Sequence, residues 1–555
     1  MINKFGGKSD SNNMALNLDK ALKVSLFTIL CFGSLFLTSS KFVDSYTSPK
    51  WYFSIFCCSA LIIVLIVEYI AKRGKIYLKN SVVDIRIAFA VIMYTSVCQA
   101  LFGLLQYVGL FKAYYIYKET GSFDNPAGFA ACLCASYPIC LYFLLDKNQK
   151  LKYSALVSTL TIILAIILSE SRTGILCIVV VSGIFLFRQS SIQFKKTRVL
   201  FLIVFIMLIG VLYFLKKESA DGRLLVWKCS MNMIMERPIL GYGSGGFDAK
   251  YMLFQANYFA SNPNSKFALL ADNINRPFNE YLSILINYGF VGFSIFLILI
   301  LCLLKHYRKC SDKESNFAGL SLLIIGLFSL FSYPFTYPFV WIVCLLCIFF
   351  IFYNSKSIII IMEHFIVRLI IVSCICIITL LCYIYARKMI VEMKWCDIAN
   401  KSLMGKSTDM LLEYANLRNY LGHNRLFLYN FAAELHEVGH YDESLNVALE
   451  CEKVFADYDL QLLLADDYLK TKNYYQAEKH YTLASQMCPS RFLPIFHLVK
   501  LYEAVEDSTM VLFTAQKIVE KPVKIESSEI DIIKYEMSCI IKKKNKSVEN
   551  ILSNK

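Results

Sequence analysis

Apolar runs long enough to cross a bilayer recur at 22–39, 51–71, 85–106, 126–145, 152–169, 173–188, 197–215, 279–304, 316–332, 335–353 and 365–386. Backbone inside lipid has no water to bond to, so each run must close its hydrogen bonds internally, as a helix. The pattern predicts an all-α polytopic membrane bundle of about 11 spans, with 10–12 in range. The fifth and sixth runs meet tightly at Ser169-Glu170-Ser171-Arg172-Thr173-Gly174 and divide in more than one way.

From about Met393 the long apolar runs stop and charges appear at helical spacing. Leu464, Ala465, Tyr468, Ala477, Tyr481, Ala484 and Pro489 stand at the offsets of a tetratricopeptide repeat. An earlier copy holds Ala432, Leu435, Ser444, Ala448 and Cys451, and a weaker third unit covers 490–522. Small residues at helix crossings let antiparallel pairs pack closely and stack into a continuous core. The expected organisation is a tail at 1–21, a membrane domain at 22–393 with one long loop at 216–278, a TPR-like repeat domain at 394–541, and a frayed basic tail from Lys542 to 555. The repeats read either as a docking surface for a protein or glycan, or as a rigid spacer.

Charge orients the helices. Lys4, Lys8, Lys20 and Lys23 precede the first run, and basic clusters fill every even connection. These are Lys72, Arg73, Lys75, Lys79 and Arg86; Lys147, Lys150 and Lys152; Arg188, Lys195, Lys196 and Arg198; and Lys305, Arg308, Lys309 and Lys313. The positive-inside rule then puts the N-terminus in the cytoplasm and, after eleven spans, the repeat domain outside a bacterial inner membrane. The same topology accounts for the net charge of +15, which would otherwise suggest nucleic acid. An apolar fraction of 57% and a mean hydropathy of +0.51 exclude disorder. Many of the 20 cysteines lie inside apolar runs, as small hydrophobes rather than a disulfide framework. The first run lacks a small-residue cleavage site after it, so it reads as a retained helix.

Four polar features fall on the outer side: Gly121-Ser122-Phe123-Asp124-Asn125-Pro126, Ser171-Arg172-Thr173-Gly174, the loop 216–278, and Ser332-Tyr333-Pro334-Phe335. Arg172 is wedged between two apolar runs, a costly place without an anionic partner. Arg223, Arg237 and Arg276 join it on that side, and guanidinium groups suit phosphate through paired hydrogen bonds. Gly241, Gly243, Gly245 and Gly246 form either a cradle for close backbone approach to a ligand or a hinge. The run has no βαβ context and no P-loop lysine, which leaves a nucleotide reading weak. No metal-ligand spacing stands out, and no cofactor is expected. All seven histidines lie at 306 or later. A general base in the loop would therefore be a carboxylate: Glu280, Asp272, Asp221, Glu170 or Asp124.

Taken together, Gln106-Tyr107-Val108-Gly109-Leu110, Gly121 to Pro126, Ser171 to Gly174, Gly222-Arg223 with Trp227, Pro238-Ile239-Leu240-Gly241-Tyr242-Gly243 with Phe247, and Asn279-Glu280-Tyr281-Leu282 with Gly289 and Gly292 resemble the O-antigen ligase and O-antigen polymerase superfamily. The resemblance covers roughly residues 100–340. It implies a glycosyltransferase that takes a glycan from an undecaprenyl-diphosphate-type carrier at the periplasmic face. The acceptor would be another glycan, lipid A core or a protein hydroxyl, and neither metal nor nucleotide would take part. Arg172 and Arg223 best match the family's diphosphate-holding arginines; with Glu280 they are the catalytic candidates, and Arg237, Arg276, Gly241, Gly243, Asn279 and Asn125 the substrate-binding ones. Many family ligases carry His-Asn where this chain has Phe278-Asn279. That departure leaves the base open between Glu280, another carboxylate and none, and leaves ligase and polymerase both open. The competing classes are a membrane scaffold presenting the repeats and a transporter of the same lipid-linked sugar. A scaffold would survive loss of the arginines. A transporter would show charges deep in several spans or repeats between its halves.

Overall fold

A computed structural model describes residues 7–71, 84–113, 117–189, 195–355 and 364–553. Lys4, Lys72, Arg73, Lys75 and Lys79 of the charge pattern lie outside the described residues. Each of the eleven apolar runs falls on a helix: α1 (Gly7–Phe36), α2 (Ser48–Ala71), α3 (Ile85–Tyr107), α4 (Pro126–Leu144), α5 (Gln149–Leu168), α6 (Arg172–Gln189), α7 (Lys195–Leu215), α10 (Glu280–Tyr307), α11 (Lys313–Ser329), α12 (Pro338–Asn354) and α13 (His364–Lys401). Between them, α8 (Lys217–Glu236) and α9 (Gly246–Ser261) occupy the long loop. No strand occurs among the described residues. Seven helices are long and apolar enough to cross a membrane, and shorter apolar helices stand at Ile203–Leu215 and Pro338–Asn354. The count by length is thus lower than the number of apolar runs, because helices such as α11 and α12 have only 17 residues each.

The chain divides into two compact units. The first holds Met1–Leu212 and Phe296–Cys396. Its centre is α4, buried on every face from Gly128 to Phe143 and packed by α3, α5, α6, α11 and α12. Ala130, Ala131, Cys132, Cys134 and Ala135 keep its girth small enough for neighbours to approach. All 20 cysteines are unpaired, as their apolar settings predicted.

The second unit holds Tyr213–Ile295 and Asp397–Lys555. It includes α8, α9, the first part of α10, and the helices α14 (Ser407–Leu421), α15 (Arg425–Glu437), α16 (Tyr441–Glu452), α17 (Tyr458–Lys470), α18 (Tyr474–Met487), α19 (Leu493–Ala504), α20 (Ser508–Glu520) and α21 (Ser528–Ser553). Successive helices from α15 to α21 pack on one another. Ala432, Ser444, Ala448, Ala465, Ala477, Tyr481 and Ala484 are all fully buried at those crossings. The division differs from a membrane domain carrying its own loop beside a separate repeat domain. Val226, Met233, Phe247, Tyr251, Met252 and Phe259 of the loop share one apolar cluster with Tyr458, Ala484, Met487 and Cys488. Loop side chains of that size need a core, and the later helices supply it. Helix α21 runs from Ser528 to Ser553, and Ile533 and Met537 pack it against Val511, Ala515 and Ile518.

Candidate active site

In the second unit, α8 brings two motif pieces together. Arg223 and Trp227 lie four residues apart and so share a face of the helix. The Arg223 guanidinium stacks 5.6 Å from the centre of the Phe278 ring. The Trp227 indole N–H donates to the Pro277 carbonyl at 3.1 Å. This ties α8 to the segment Arg276-Pro277-Phe278-Asn279-Glu280. Phe278 itself has φ of +53°, a conformation bulky residues rarely adopt and one that accumulates at functional sites. Asn279 then caps α10: its side-chain oxygen accepts from the Tyr281 and Leu282 amides at 2.9 and 3.1 Å. Its oxygen is therefore a structural cap before it is anything else, and Glu280 follows in the first turn, where a carboxylate suits the helix dipole.

The glycine run pairs with a break in α10. Tyr242 and Gly243 donate their amides to the Ile286 and Asn287 carbonyls at 2.9 and 2.8 Å. Phe290 and Val291 donate back to Pro238 and Ile239 at 2.8 and 3.2 Å. The close approach that Gly241 permits is thus to its own chain: a Cβ there would lie 2.5 Å from the Ile286 carbonyl oxygen. Gly243 faces open space. Arg237 is exposed and lies 5.0 Å over Tyr242. Arg276 acts on Asp248, whose pKa is raised by burial although Arg425 and Arg276 both pull it down. Among the other carboxylates proposed as bases, Asp272 pairs with Arg491 at 3.0 Å and Asp221 accepts from the Tyr213 hydroxyl at 2.8 Å.

Arg172 and Asn125 belong to the first unit. Arg172 opens α6, the positive end of the helix dipole, where a cation is disfavoured. Its Nη1 donates to the Leu212 carbonyl at 3.4 Å, in the last turn of α7 where carbonyls lack helical partners. Glu170 turns the chain between α5 and α6 with φ of +54°. Asn125 caps α4 through the Gly128 amide at 2.8 Å and donates to Asp124 and the Tyr337 hydroxyl at 2.9 and 3.1 Å. The motif around it is clasped from several sides. The Gln106 amide donates to the Gly121 carbonyl at 2.9 Å, and the Lys50 ammonium to the Ser122 carbonyl at 2.7 Å. Two motif pieces singled out for chemistry, Gln106 and Gly121-Ser122, thereby hold each other in place.

Glu119 does not stand out in the sequence. It is only 2% exposed, and neither carboxylate oxygen has a hydrogen-bond partner among the described residues. Burial pushes its pKa up to about 8. The only sequence signal is its place two residues before Gly121, in a stretch that reads as a solvated loop.

Comparison with known proteins bears on the later motifs. Residues 157–297 match a family model described as O-Antigen ligase. The matched range includes Arg172, Arg223, Arg237, Gly241, Gly243, Arg276, Asn279 and Glu280, and stops before the helical array. The chain is 22% identical over 253 residues to a protein named ComP-specific O-oligosaccharyltransferase in Acinetobacter baylyi, covering 42% of this chain and 44% of that one. It is 34% identical over 111 residues to one named "Putative polysaccharide ligase" in Rickettsia typhi, covering 20% of this chain and 25% of that one. The chain thus spans less than half the length of these relatives. No solved structure matches it. The O-antigen ligase superfamily is supported by these matches, as the sequence motifs implied.

Proposed function

We propose that this chain is a glycan ligase that transfers an oligosaccharide from a polyprenyl-diphosphate carrier to an acceptor at the periplasmic face of the inner membrane. The observation that carries this reading is the junction of Arg223 and Trp227 with Pro277 and Phe278, inside the stretch that matches the ligase family. It sets a guanidinium, held by its neighbours, beside the Asn279-Glu280 turn. The positive-inside pattern supports the outer location of that turn.

In the reaction, the bond between the sugar's anomeric carbon and the diphosphate oxygen breaks. The acceptor hydroxyl oxygen bonds to that carbon, and its proton passes to Glu280. The electron pair of the broken bond stays on the diphosphate, where positive charge from Arg223 offsets it as it develops. Phe278, in the place of the family histidine, contributes the ring over which Arg223 is held rather than a base.

Purified full-length protein supplied with a lipid-diphosphate oligosaccharide and an acceptor tests this. Arg223→Ala is expected to lower the transfer rate about a hundredfold or more, as loss of one preorganised charge-stabilising donor does. An unchanged rate would contradict the reading.

A further inference from the structure

The helices after α13 look from their sequence like an array free to dock a partner. One face of that array is already occupied. Gln255 of α9 donates to the Met487 carbonyl at 2.7 Å. Asn273 donates to Asp457 at 2.8 Å, Arg491 pairs with Asp272 at 3.0 Å, and Ser490 donates to the Ala271 carbonyl at 3.4 Å. The apolar cluster beneath these contacts is common to both segments.

The contacts nearest the glycine run converge on Asp248, in the first turn of α9. Its carboxylate pairs with Arg425, the first residue of α15, and its carbonyl accepts from the Ala456 amide at 2.9 Å. Arg425 is held in turn over the Phe455 ring at 5.0 Å. The pair is about three-quarters buried, so each charge depends on the other far more than a surface pair would. One residue before Asp248, the Phe247 amide donates to Asn287 at 3.3 Å, which joins the start of α9 to the broken stretch of α10. A chain of contacts therefore runs from α15 through Asp248 to the loop Gly241–Gly246 and the helix that Asn279 caps.

We propose that the helical array is the scaffold that sets the glycine-rich loop, with Arg425 as a positioning residue acting through Asp248. This rests on the glycan-transfer reading, since the loop is hydrogen-bonded to α10, the helix that Glu280 begins. Arg425 itself touches no substrate; its effect passes through one carboxylate. The two residues must then act as one unit rather than independently.

The test is a double-mutant cycle on full-length protein, with membrane level and thermal midpoint measured alongside the rates. Arg425→Ala and Asp248→Asn are each expected to lower kcat about tenfold, leave the acceptor KM unmoved, and combine with no further loss. Arg425→Lys should recover most of the rate. An Arg425→Ala rate equal to wild type, or losses that multiply in the double variant, would overturn the proposal. Should Arg425→Ala alone fail to accumulate, the comparison of Asp248→Asn with the double variant decides, equal rates supporting and a further fall overturning. Arg223→Ala in the same assay separates the two readings: if it keeps its activity, the glycan-transfer reading fails; if it is inactive while Arg425→Ala is wild type, only the positioning role fails.

Discussion

Glu119 shows how far a single buried group departs from its sequence. With neither oxygen partnered among the described residues and the side chain 2% exposed, its pKa is pushed up to about 8 from an ordinary value of 4.5. The sign follows from linkage. Below 4.5 the carboxyl is neutral in both the folded and unfolded states. Above it the unfolded chain ionises first, so the stability contributed by the neutral folded form declines as pH rises, until the folded group ionises near 8. Glu119→Gln keeps the shape and removes the titration. The expected result is a higher thermal midpoint than wild type at neutral pH and a flatter dependence on pH across that window. An unchanged slope would show that the carboxyl is already solvated or paired. At this scale the arginines and Phe278 stand out in the sequence itself, through charge and through a departure from the family pattern. Glu119 does not, because nothing in Lys118-Glu119-Thr120 reveals that Gln106 and Lys50 fold the adjoining loop inward. Asn125 and Asn279 read as ligand-binding, and the structure adds that each caps a helix, a role whose signal is equally local.

Among the elements, α10 departs most from its pattern. Its apolar run reads as one uninterrupted span, but Gly289 has φ of +61° and ψ of −164°. A Cβ there would lie 2.2 Å from the Ile239 carbonyl oxygen. The segment Pro238 to Gly243 docks at that break by backbone hydrogen bonds, which a one-dimensional hydropathy pattern does not record. Gly289→Ala should therefore cost about 3 kcal/mol through forbidden backbone and overlap combined. Gly243→Ala has only the left-handed φ of +86° to resist it and no neighbour within 4 Å, and should cost about 1 kcal/mol. Thermal unfolding in detergent separates them, and equal midpoints would contradict the account of the break. The helices themselves were legible because lipid forces the periodicity, and every apolar run was recovered as helix.

For the whole molecule, the division into units was the least legible property. The sequence shows a composition change near Met393, and from that a separate repeat domain follows naturally. The contacts of Asp248, Gln255, Asp272 and Asn273 with α15, α17, α18 and 456–491 are long-range, and no local pattern announces them. Deleting 397–555 should leave Phe247, Tyr251, Met252 and Phe259 without their core. Limited proteolysis is expected to cut the shortened chain within 246–278 far faster than the full one, at equal membrane levels. Equal resistance would show that the loop folds without the array.

Transfer of a glycan from a lipid diphosphate is tested by the lipid-linked oligosaccharide pool in cells carrying Arg223→Ala or Arg172→Ala, with surface polysaccharide followed in parallel. Both variants are expected to accumulate a full-length glycan on its carrier and to lose the attached form, at normal protein level. A single-unit glycan still attached would instead mark a polymerase, and an unchanged pool and surface pattern in both variants would contradict glycan transfer by this chain.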